Sequence, residues 1–288
     1  MYAITGITGK VGGEVARALL ADRASVRAVV RDERKGKEWA ALRCEAVIAE
    51  MEDATALTAA FVGAEAVFIL PPSVFDPQPG YPEARKVIDA VVAALRAAKP
   101  RKVLCLSTIG ADAAHDNLLS QRTMMEQALS SLPIPVTFLR PGWFLDNASW
   151  DVASARESGV IHSFLMPVDK RFPMVSTRDV GRVAAKLIRE SWSGQRVVEL
   201  EGPRRVSPND LAAAFAKALG TPVRAEIVPR ETWEELFRSQ GMKNPGPRMR
   251  MLDGFNEGWI AFEGKEADIV KGEVELETVL RALVSQAE

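Results

Sequence analysis

The segment that decides the fold is Tyr2-Ala3-Ile4-Thr5-Gly6-Ile7-Thr8-Gly9-Lys10-Val11-Gly12. It starts as an apolar strand, places glycines at positions 6, 9 and 12, and leads into a helical run near Val11. Glycine allows a tight turn, a close approach of the backbone to a pyrophosphate, and close packing of helix on strand. The start of the helix offers unpaired N–H groups to phosphates. This strand–turn–helix context predicts a dinucleotide-binding turn.

The residues that follow repeat a strand-and-helix rhythm as far as Arg140. The predicted strands are Tyr2–Thr5, Val26–Val30, Ala46–Ala49, Ala66–Leu70, Lys102–Ser107 and Val136–Leu139. The predicted helices between them are Val11–Ala21, Ala54–Phe61, Pro82–Ala98 and Ser120–Ser131. Short strands that alternate with helices indicate a parallel sheet, and strands that are apolar throughout indicate helices on both faces. The predicted fold class is α/β, a Rossmann-type doubly wound parallel sheet.

Beyond Arg140 the pattern becomes less regular. Helices are predicted at Thr177–Glu190, Ser207–Leu219, Arg230–Gln240 and Glu273–Gln286, and strands at Val197–Leu200 and Val223–Val228. Ser207 is the predicted N-cap of its helix, with Pro208 at the first helical position and Gly220 at the stop. We therefore expect a nucleotide-binding domain over 1–141. A smaller α/β substrate-binding region is expected over 142–288, interleaved with the last strands of the sheet.

Composition excludes several classes of function. The chain has 288 residues, 47% of them hydrophobic and 26% charged, with a formal net charge of −1. These values are typical of a soluble globular protein, and they lack the basic excess of a direct nucleic-acid binder. Two separated cysteines in apolar runs and two histidines predict neither a disulfide nor a metal site. We expect no secretory signal and no membrane span, and therefore a cytoplasmic location.

A basic run at the end of the second strand bears on the choice of cofactor. Arg31 follows the strand directly, and Arg34, Lys35 and Lys37 come soon after it. A guanidinium can make charge-assisted bonds to the 2′-phosphate of NADP(H), and Lys10 in the glycine turn could add a second cation. Asp32 could instead accept from a ribose 2′-hydroxyl. The sequence predicts a preference for NADP(H) and leaves NAD(H) open.

Motifs along nearly the whole chain resemble those of the NmrA-like branch of the atypical short-chain dehydrogenases/reductases. The matching motifs are Thr5–Gly12, Glu50–Asp53, Leu139–Asn147, Val175–Val180 and Glu201–Pro203. The Arg-Pro-Gly-Trp-Phe stretch is similar to that of bacterial reductases of quinones, triphenylmethane dyes and azo compounds. The resemblance implies that the following residues bind the cofactor, in addition to Arg31: Gly6, Thr8, Gly9, Lys10, Val11, Gly12, Glu50, Met51, Leu70, Pro71, Pro72, Ser107, Thr108, Pro141, Gly142 and Trp143.

The chain departs from the superfamily at the catalytic pair. Typical members carry Tyr-x-x-x-Lys on the helix after the fifth strand, where the tyrosine donates a proton. Here Leu118 stands at the tyrosine position and Arg122 at the lysine position. Tyr81 and Arg85 have the same spacing, but they lie on another element. Alcohol–ketone chemistry is therefore not expected.

The candidate catalytic residues that remain are Arg122, His115 and Ser107. Arg122 could hold the nicotinamide ribose or an anionic substrate group, or it could form an ion pair with Glu126 four residues on. His115 has an ordinary pKa suited to proton donation, although a solvated loop histidine is the alternative.

Aromatic residues follow the sixth predicted strand and suggest a pocket for an aromatic substrate. Trp143, Phe144, Asn147 and Phe164 are its predicted lining, with core packing as the alternative for the aromatic members. Phe255, Trp259 and Phe262 could form a lid over it or could simply pack.

Two functions follow from these expectations. The first is an NAD(P)H-dependent oxidoreductase that transfers hydride to a quinone-like, azo or other conjugated acceptor without the Tyr-x-x-x-Lys pair. The second is a non-enzymatic NADP(H)-binding redox sensor that acts through a protein partner. The sequence leaves open whether the chain forms a homodimer.

Overall fold

Strands and helices alternate along the chain in a computed structural model that describes residues 1–286. The strands are β1 (Tyr2–Ile4), β2 (Val26–Val30), β3 (Glu45–Ile48), β4 (Ala66–Ile69), β5 (Lys102–Leu106), β6 (Val136–Pro141), β7 (Trp143–Phe144), β8 (Val160–Ser163), β9 (Met174–Val175), β10 (Gln195–Glu201), β11 (Arg224–Ile227) and β12 (Val270–Lys271). The helices are α1 (Lys10–Ala21), α2 (Glu33–Ala41), α3 (Ala54–Phe61), α4 (Pro82–Ala98), α5 (Ser120–Ser130), α6 (Val152–Ser158), α7 (Thr177–Leu187), α8 (Pro208–Leu219), α9 (Trp233–Ser239), α10 (Gly246–Glu257) and α11 (Leu276–Gln286).

Within residues 1–286, one large sheet joins eight strands in the order β12-β10-β6-β5-β4-β1-β2-β3. Every pairing in it is parallel. The chain runs outward from β1 through β2 and β3 on one side, and from β4 through β5 and β6 on the other. The carboxyl ends of β1 and β4 therefore form a topological switch point, where sheets of this kind bind ligands. The predicted Rossmann-type α/β fold is confirmed.

Helices cover both faces of this sheet, as the apolar strands predict. Successive residues of β4 point to opposite sides: Phe68 packs in the core beside α1 and α7, whereas Val67 and Ile69 pack beside α3 and α4. All three side chains are fully buried. Burial on both faces removes the polar alternation that a half-exposed strand would show.

We call the large sheet with the helices on its faces the first lobe, and the part of the chain packed around Trp233 the second lobe. The second half of the chain contributes to both. Its own core gathers residues of α8, α9, α10 and α11 around Trp233, Phe237 and Phe215. Yet β10 and β12 extend the large sheet, and α7 packs on α1. The later strands β10 and β12 therefore belong to the large sheet, and the division into two domains at residue 141 stays a prediction. No helix within residues 1–286 is long and apolar enough to cross a membrane.

Three helices escape the sequence patterns. The basic run after β2, for which the sequence patterns predict no helix, forms α2 from Glu33 onward. The Asp32 carboxylate caps this helix and accepts from the Lys35 N–H at 2.8 Å. The helix α10 lies in the stretch that shows only loosely ordered Gly, Pro and Met residues in the sequence. The helix α6 follows a 3₁₀ segment (Leu145–Asp151) in a region expected to be irregular.

Candidate functional site

The glycine turn after β1 has the geometry that a bound phosphate requires. Gly6 has a φ of +62° and accepts a hydrogen bond from the Gly9 N–H at 3.0 Å. A Cβ at Gly12 would lie 2.3 Å from the Gly6 carbonyl oxygen, so only glycine lets α1 pack this closely on the turn. Gly9 is the N-cap of α1 and supplies no side-chain acceptor. The N–H groups at the start of α1 therefore remain available to an anion.

Thr5 joins the turn to the neighbouring strand. Its hydroxyl donates to the Phe68 carbonyl at 3.0 Å and accepts from the Leu70 N–H at 2.8 Å. The Leu70 side chain lies 3.0 Å from the position that a Cβ would take on Gly6. These contacts fix the ends of β1 and β4 against each other at the switch point.

The cations after β2 fall into two groups. Arg34 and Lys35 both form ion pairs with Glu38, at 2.9 and 2.8 Å. Arg31 is exposed, and its side chain makes no hydrogen bond or ion pair with any residue of the described part of the chain. The Asp32 carboxylate is already bonded to the start of α2. This arrangement favours a phosphate at Arg31 over a ribose hydroxyl at Asp32.

Other predicted cofactor residues border the same edge of the sheet. Thr8 and Glu50 are exposed, and Met51 is half-buried against the α3–α4 side of the core. Lys10 lies 3.8 Å from Asp146, whose carboxylate also accepts from the Thr177 N–H and hydroxyl at 2.8 and 2.6 Å. Asp146 thereby ties the glycine turn to the segment after β7.

Arg122 contacts the loop after β4 instead of its own helix. Its guanidinium donates to the carbonyls of Pro71 and Pro72 at 3.0 and 3.3 Å and to the Ser73 hydroxyl at 2.7 Å. The alternative ion pair with Glu126 is wrong, because the Glu126 carboxylate is engaged by Arg140.

Glu126 and Arg140 form the centre of a buried polar network that no sequence motif reveals. Arg140 donates to the two Glu126 carboxylate oxygens at 2.9 and 2.7 Å and also pairs with Asp112 and Glu263. Burial lowers the pKa of Arg140, but the hydrogen bonds and negative charges of Glu126, Glu263 and Asp112 together outweigh it, so the pKa is raised overall. The Ser107 hydroxyl donates to Glu126. The predicted catalytic Ser107 therefore already has a partner within the protein.

The remaining candidate proton donors, Tyr81 and His115, are each held by other contacts within the protein. The Tyr81 hydroxyl lies 2.7 Å from an Asp116 carboxylate oxygen and 2.9 Å from the Asn117 carbonyl, so both acceptors share its single proton. Burial, together with Asp116, raises the pKa of Tyr81 well above its ordinary value, which makes it a poor acid. His115 is exposed and packs against Trp259, with 4.9 Å between ring centroids.

The predicted pocket residues divide between the two lobes. Trp143 is half-buried and meets Phe255 edge-on at 5.3 Å, whereas Phe144 packs on the sheet side. Phe164 packs on Trp233 and Phe237 in the second lobe. Asn147 is half-buried in the 3₁₀ segment after β7. Trp143, Phe144 and Asn147 all lie within six residues of the end of β6, whereas Phe164 packs in the second lobe.

The segment from β6 to β7 is fixed by close backbone contacts. A Cβ at Gly142 would lie 2.4 Å from the Pro173 carbonyl oxygen, and the Gly142 N–H donates to the Leu200 carbonyl at 2.8 Å. Pro141 accepts from the Ile109 N–H at 2.9 Å. Ser107 and Thr108 follow β5, whereas Pro141 is the last residue of β6 and Trp143 is the first of β7. Their contact with the cofactor stays a prediction.

Known proteins resemble the chain along most of its length. It is 26% identical over 261 residues to an NAD(P)H azoreductase of Xenophilus azovorans, covering 89% of this chain and 85% of that protein. It is 28% identical over 244 residues to quinone oxidoreductase 2 of Escherichia coli, covering 84% and 82%. The crystal structure of an E. coli NADPH-dependent quinone oxidoreductase complexed with NADPH superposes with a TM-score of 0.82. The identity in that superposition is 24%, over 98% of this chain and 99% of the other. The model of the NmrA-like family matches residues 2–255. The chain belongs to the NmrA-like family.

Proposed function

We propose that the chain is an NAD(P)H-dependent reductase that prefers NADP(H) and transfers hydride to a conjugated acceptor such as a quinone or azo compound. The observation that supports cofactor binding is the start of α1, which has no side-chain cap. It lies on a glycine turn so close that a Cβ at Gly12 would overlap the Gly6 carbonyl oxygen. Backbone N–H groups and a helix dipole at that place suit a pyrophosphate. Arg31 would take the 2′-phosphate.

The protein's own contribution is orientation rather than acid catalysis. Leu118, at the usual tyrosine position, is buried in the core of the second lobe, and Tyr81 is bonded to Asp116. The bound dinucleotide supplies the hydride. A quinone or azo group delocalises the charge that develops on reduction, and water can supply the proton afterwards. Holding two reactants in the right geometry can contribute several kcal/mol without an acid (about 7–11 kcal/mol at best).

The named activities of the relatives support this acceptor class. An azoreductase and a quinone oxidoreductase both align over more than four-fifths of the chain. No feature of the site within the described residues favours the non-enzymatic sensor over the reductase. An aromatic small molecule is therefore the proposed substrate, while a cytoplasmic location, a homodimer and a protein partner stay predictions.

Turnover is the direct test. Purified protein is mixed with NADPH and a panel of quinones, azo dyes and triphenylmethane dyes, and nicotinamide absorbance is followed. We expect saturable, protein-dependent oxidation of NADPH. Tight NADPH binding without turnover of any acceptor would contradict the reductase and favour the sensor.

The cofactor preference is tested by Arg31→Ala. Losing a charge-assisted bond of about 1.5–3 kcal/mol should raise the Kd for NADPH by roughly 10- to 100-fold. The Kd for NADH, which lacks the 2′-phosphate, should stay within about twofold, because other contacts are untouched. Arg34→Ala is the matched control, since Glu38 keeps Lys35 as a partner. Equal losses of affinity for the two nucleotides would refute the 2′-phosphate assignment.

A further inference from the structure

The loop between β4 and α4 crosses the carboxyl edge of the sheet; we call residues 70–81 the strap. It leaves β4 beside the glycine turn, where Leu70 packs against Gly6. The predicted 2′-phosphate site lies on the β2 side of this turn, so the strap stands over the opposite half of the crevice. That half, bordered by β4 and β5, would receive the nicotinamide.

Two neighbouring residues of α5 hold the start of the strap. Arg122 donates to Pro71, Pro72 and Ser73, and the Gln121 amide donates to the Val74 carbonyl at 3.0 Å. Four consecutive strap residues are thus bonded to one turn of helix. A guanidinium has five N–H donors and no acceptor, and it stays protonated in proteins. Arg122 is therefore built to hold carbonyl groups and not to exchange protons.

The middle of the strap is anchored to the second lobe. The Asp76 carboxylate accepts from the backbone N–H groups of Lys243 and Asn244 at 2.8 and 2.7 Å. These two hydrogen bonds lower the pKa of Asp76. Because α10 begins at Gly246 and carries Phe255 against Trp143, the strap connects α5 to the lobe that is expected to bind the substrate.

We propose that Arg122 is a positioning residue that keeps the strap closed over the nicotinamide half of the crevice. This inference rests on the proposed reductase function. It differs from the sequence-based hypothesis, in which Arg122 touches the ribose or the substrate. If only the closed strap binds the nucleotide tightly, the apparent Kd rises as the fraction of closed protein falls. The rate of the reaction in the closed complex does not change.

The test compares Arg122→Ala, Arg122→Lys and a control, Arg96→Ala, which removes an exposed arginine of α4. If the closed fraction drops to about a tenth, the Kd and KM for NADPH rise roughly tenfold. We expect kcat to stay within about threefold, lysine to restore part of the affinity, and the control to match wild type. Hydrogen exchange in the nucleotide-free protein should speed up at the Lys243 and Asn244 amides.

A loss of kcat without a change in NADPH affinity would overturn the proposal. A loss of kcat of about 100-fold with unchanged Kd and unchanged exchange would mean that Arg122 acts on the reacting groups. The exchange and Kd measurements need no turnover. If wild type reduces no acceptor, the proposed function fails but the role of Arg122 can still be judged. Unchanged hydrogen exchange and unchanged Kd in Arg122→Ala would reject that role. Faster exchange together with weaker NADPH binding would support it.

Discussion

A valine at position 9 should abolish nucleotide binding and leave the fold intact. Gly9 has φ −89° and ψ 174°, a conformation open to any residue. The nearest atom to a Cβ there is the Gly6 carbonyl oxygen at 3.4 Å, so the backbone accepts a side chain. The branched side chain would nevertheless stand at the N-cap, beside the free N–H groups of α1. We expect the Kd for NADPH to rise more than about 100-fold, which is about 2.7 kcal/mol.

The measurement is a pair of binding isotherms, for NADPH and for NADH, with thermal unfolding recorded on the same samples. Both nucleotides should lose affinity, since both carry the pyrophosphate. Gly12→Ala is the informative contrast, because its Cβ would lie 2.3 Å from the Gly6 oxygen and the turn itself must shift. That variant should lose stability as well as binding. Normal NADPH binding by Gly9→Val would reject the phosphate turn.

The sequence predicts the strand, turn and helix around Gly6 correctly because their determinants are local. Turn glycines, an apolar strand and a helix start lie within eleven consecutive residues. Strands buried on both faces are apolar throughout, so the run of residues along each strand already indicates the parallel sheet. The position of Arg31 directly after β2 is predicted for the same reason, while its contact with a 2′-phosphate stays a prediction.

The contacts of Arg122, Glu126 and Arg140 depend on partners that are distant in sequence. Arg122 and Glu126 are four residues apart on one helix, and this spacing suggests an ion pair. In the folded chain the nearest groups come from other elements: Pro71 accepts from Arg122, and Arg140 takes Glu126. Arg140 and Glu263 are separated by 123 positions. No local pattern can indicate such a pair.

Helix α10 is missed for a different physical reason. Pro247 lies in its first turn, and Gly254 within it lets the Trp259 ring approach to 2.6 Å from the place of a Cβ. Proline is tolerated in a first turn, but glycine inside a helix is unfavourable and no side-chain N-cap marks the start of this helix. Tertiary packing stabilises the helix here, and that packing is absent from a pattern of propensities.

Glu126→Ala should destabilise the fold strongly. The Glu126 and Arg140 side chains are buried, at 8% and 5% exposure, and the carboxylate holds both Arg140 and Ser107. The substitution removes two hydrogen bonds of Arg140 and leaves it with Asp112 and Glu263 as partners. Breaking a buried ion pair costs about 3–5 kcal/mol. We expect Tm to fall by roughly 6–20 °C, given about 2–4 °C per kcal/mol in larger domains.

Urea unfolding distinguishes the loss of the buried Glu126–Arg140 ion pair from the loss of an exposed ion pair. Glu38→Ala removes an exposed carboxylate that also pairs with two cations, and it should change the unfolding free energy by no more than about 0.5–1 kcal/mol. Equal destabilisation by Glu38→Ala and Glu126→Ala would contradict the network. Asp112 and Glu263 still contact Arg140 after the substitution, so a smaller loss than expected would indicate that they absorb the charge. A triple variant that replaces Glu126, Asp112 and Glu263 with alanine should then lose the full amount of about 3–5 kcal/mol of unfolding free energy. In it, Arg140 keeps none of these three carboxylate partners.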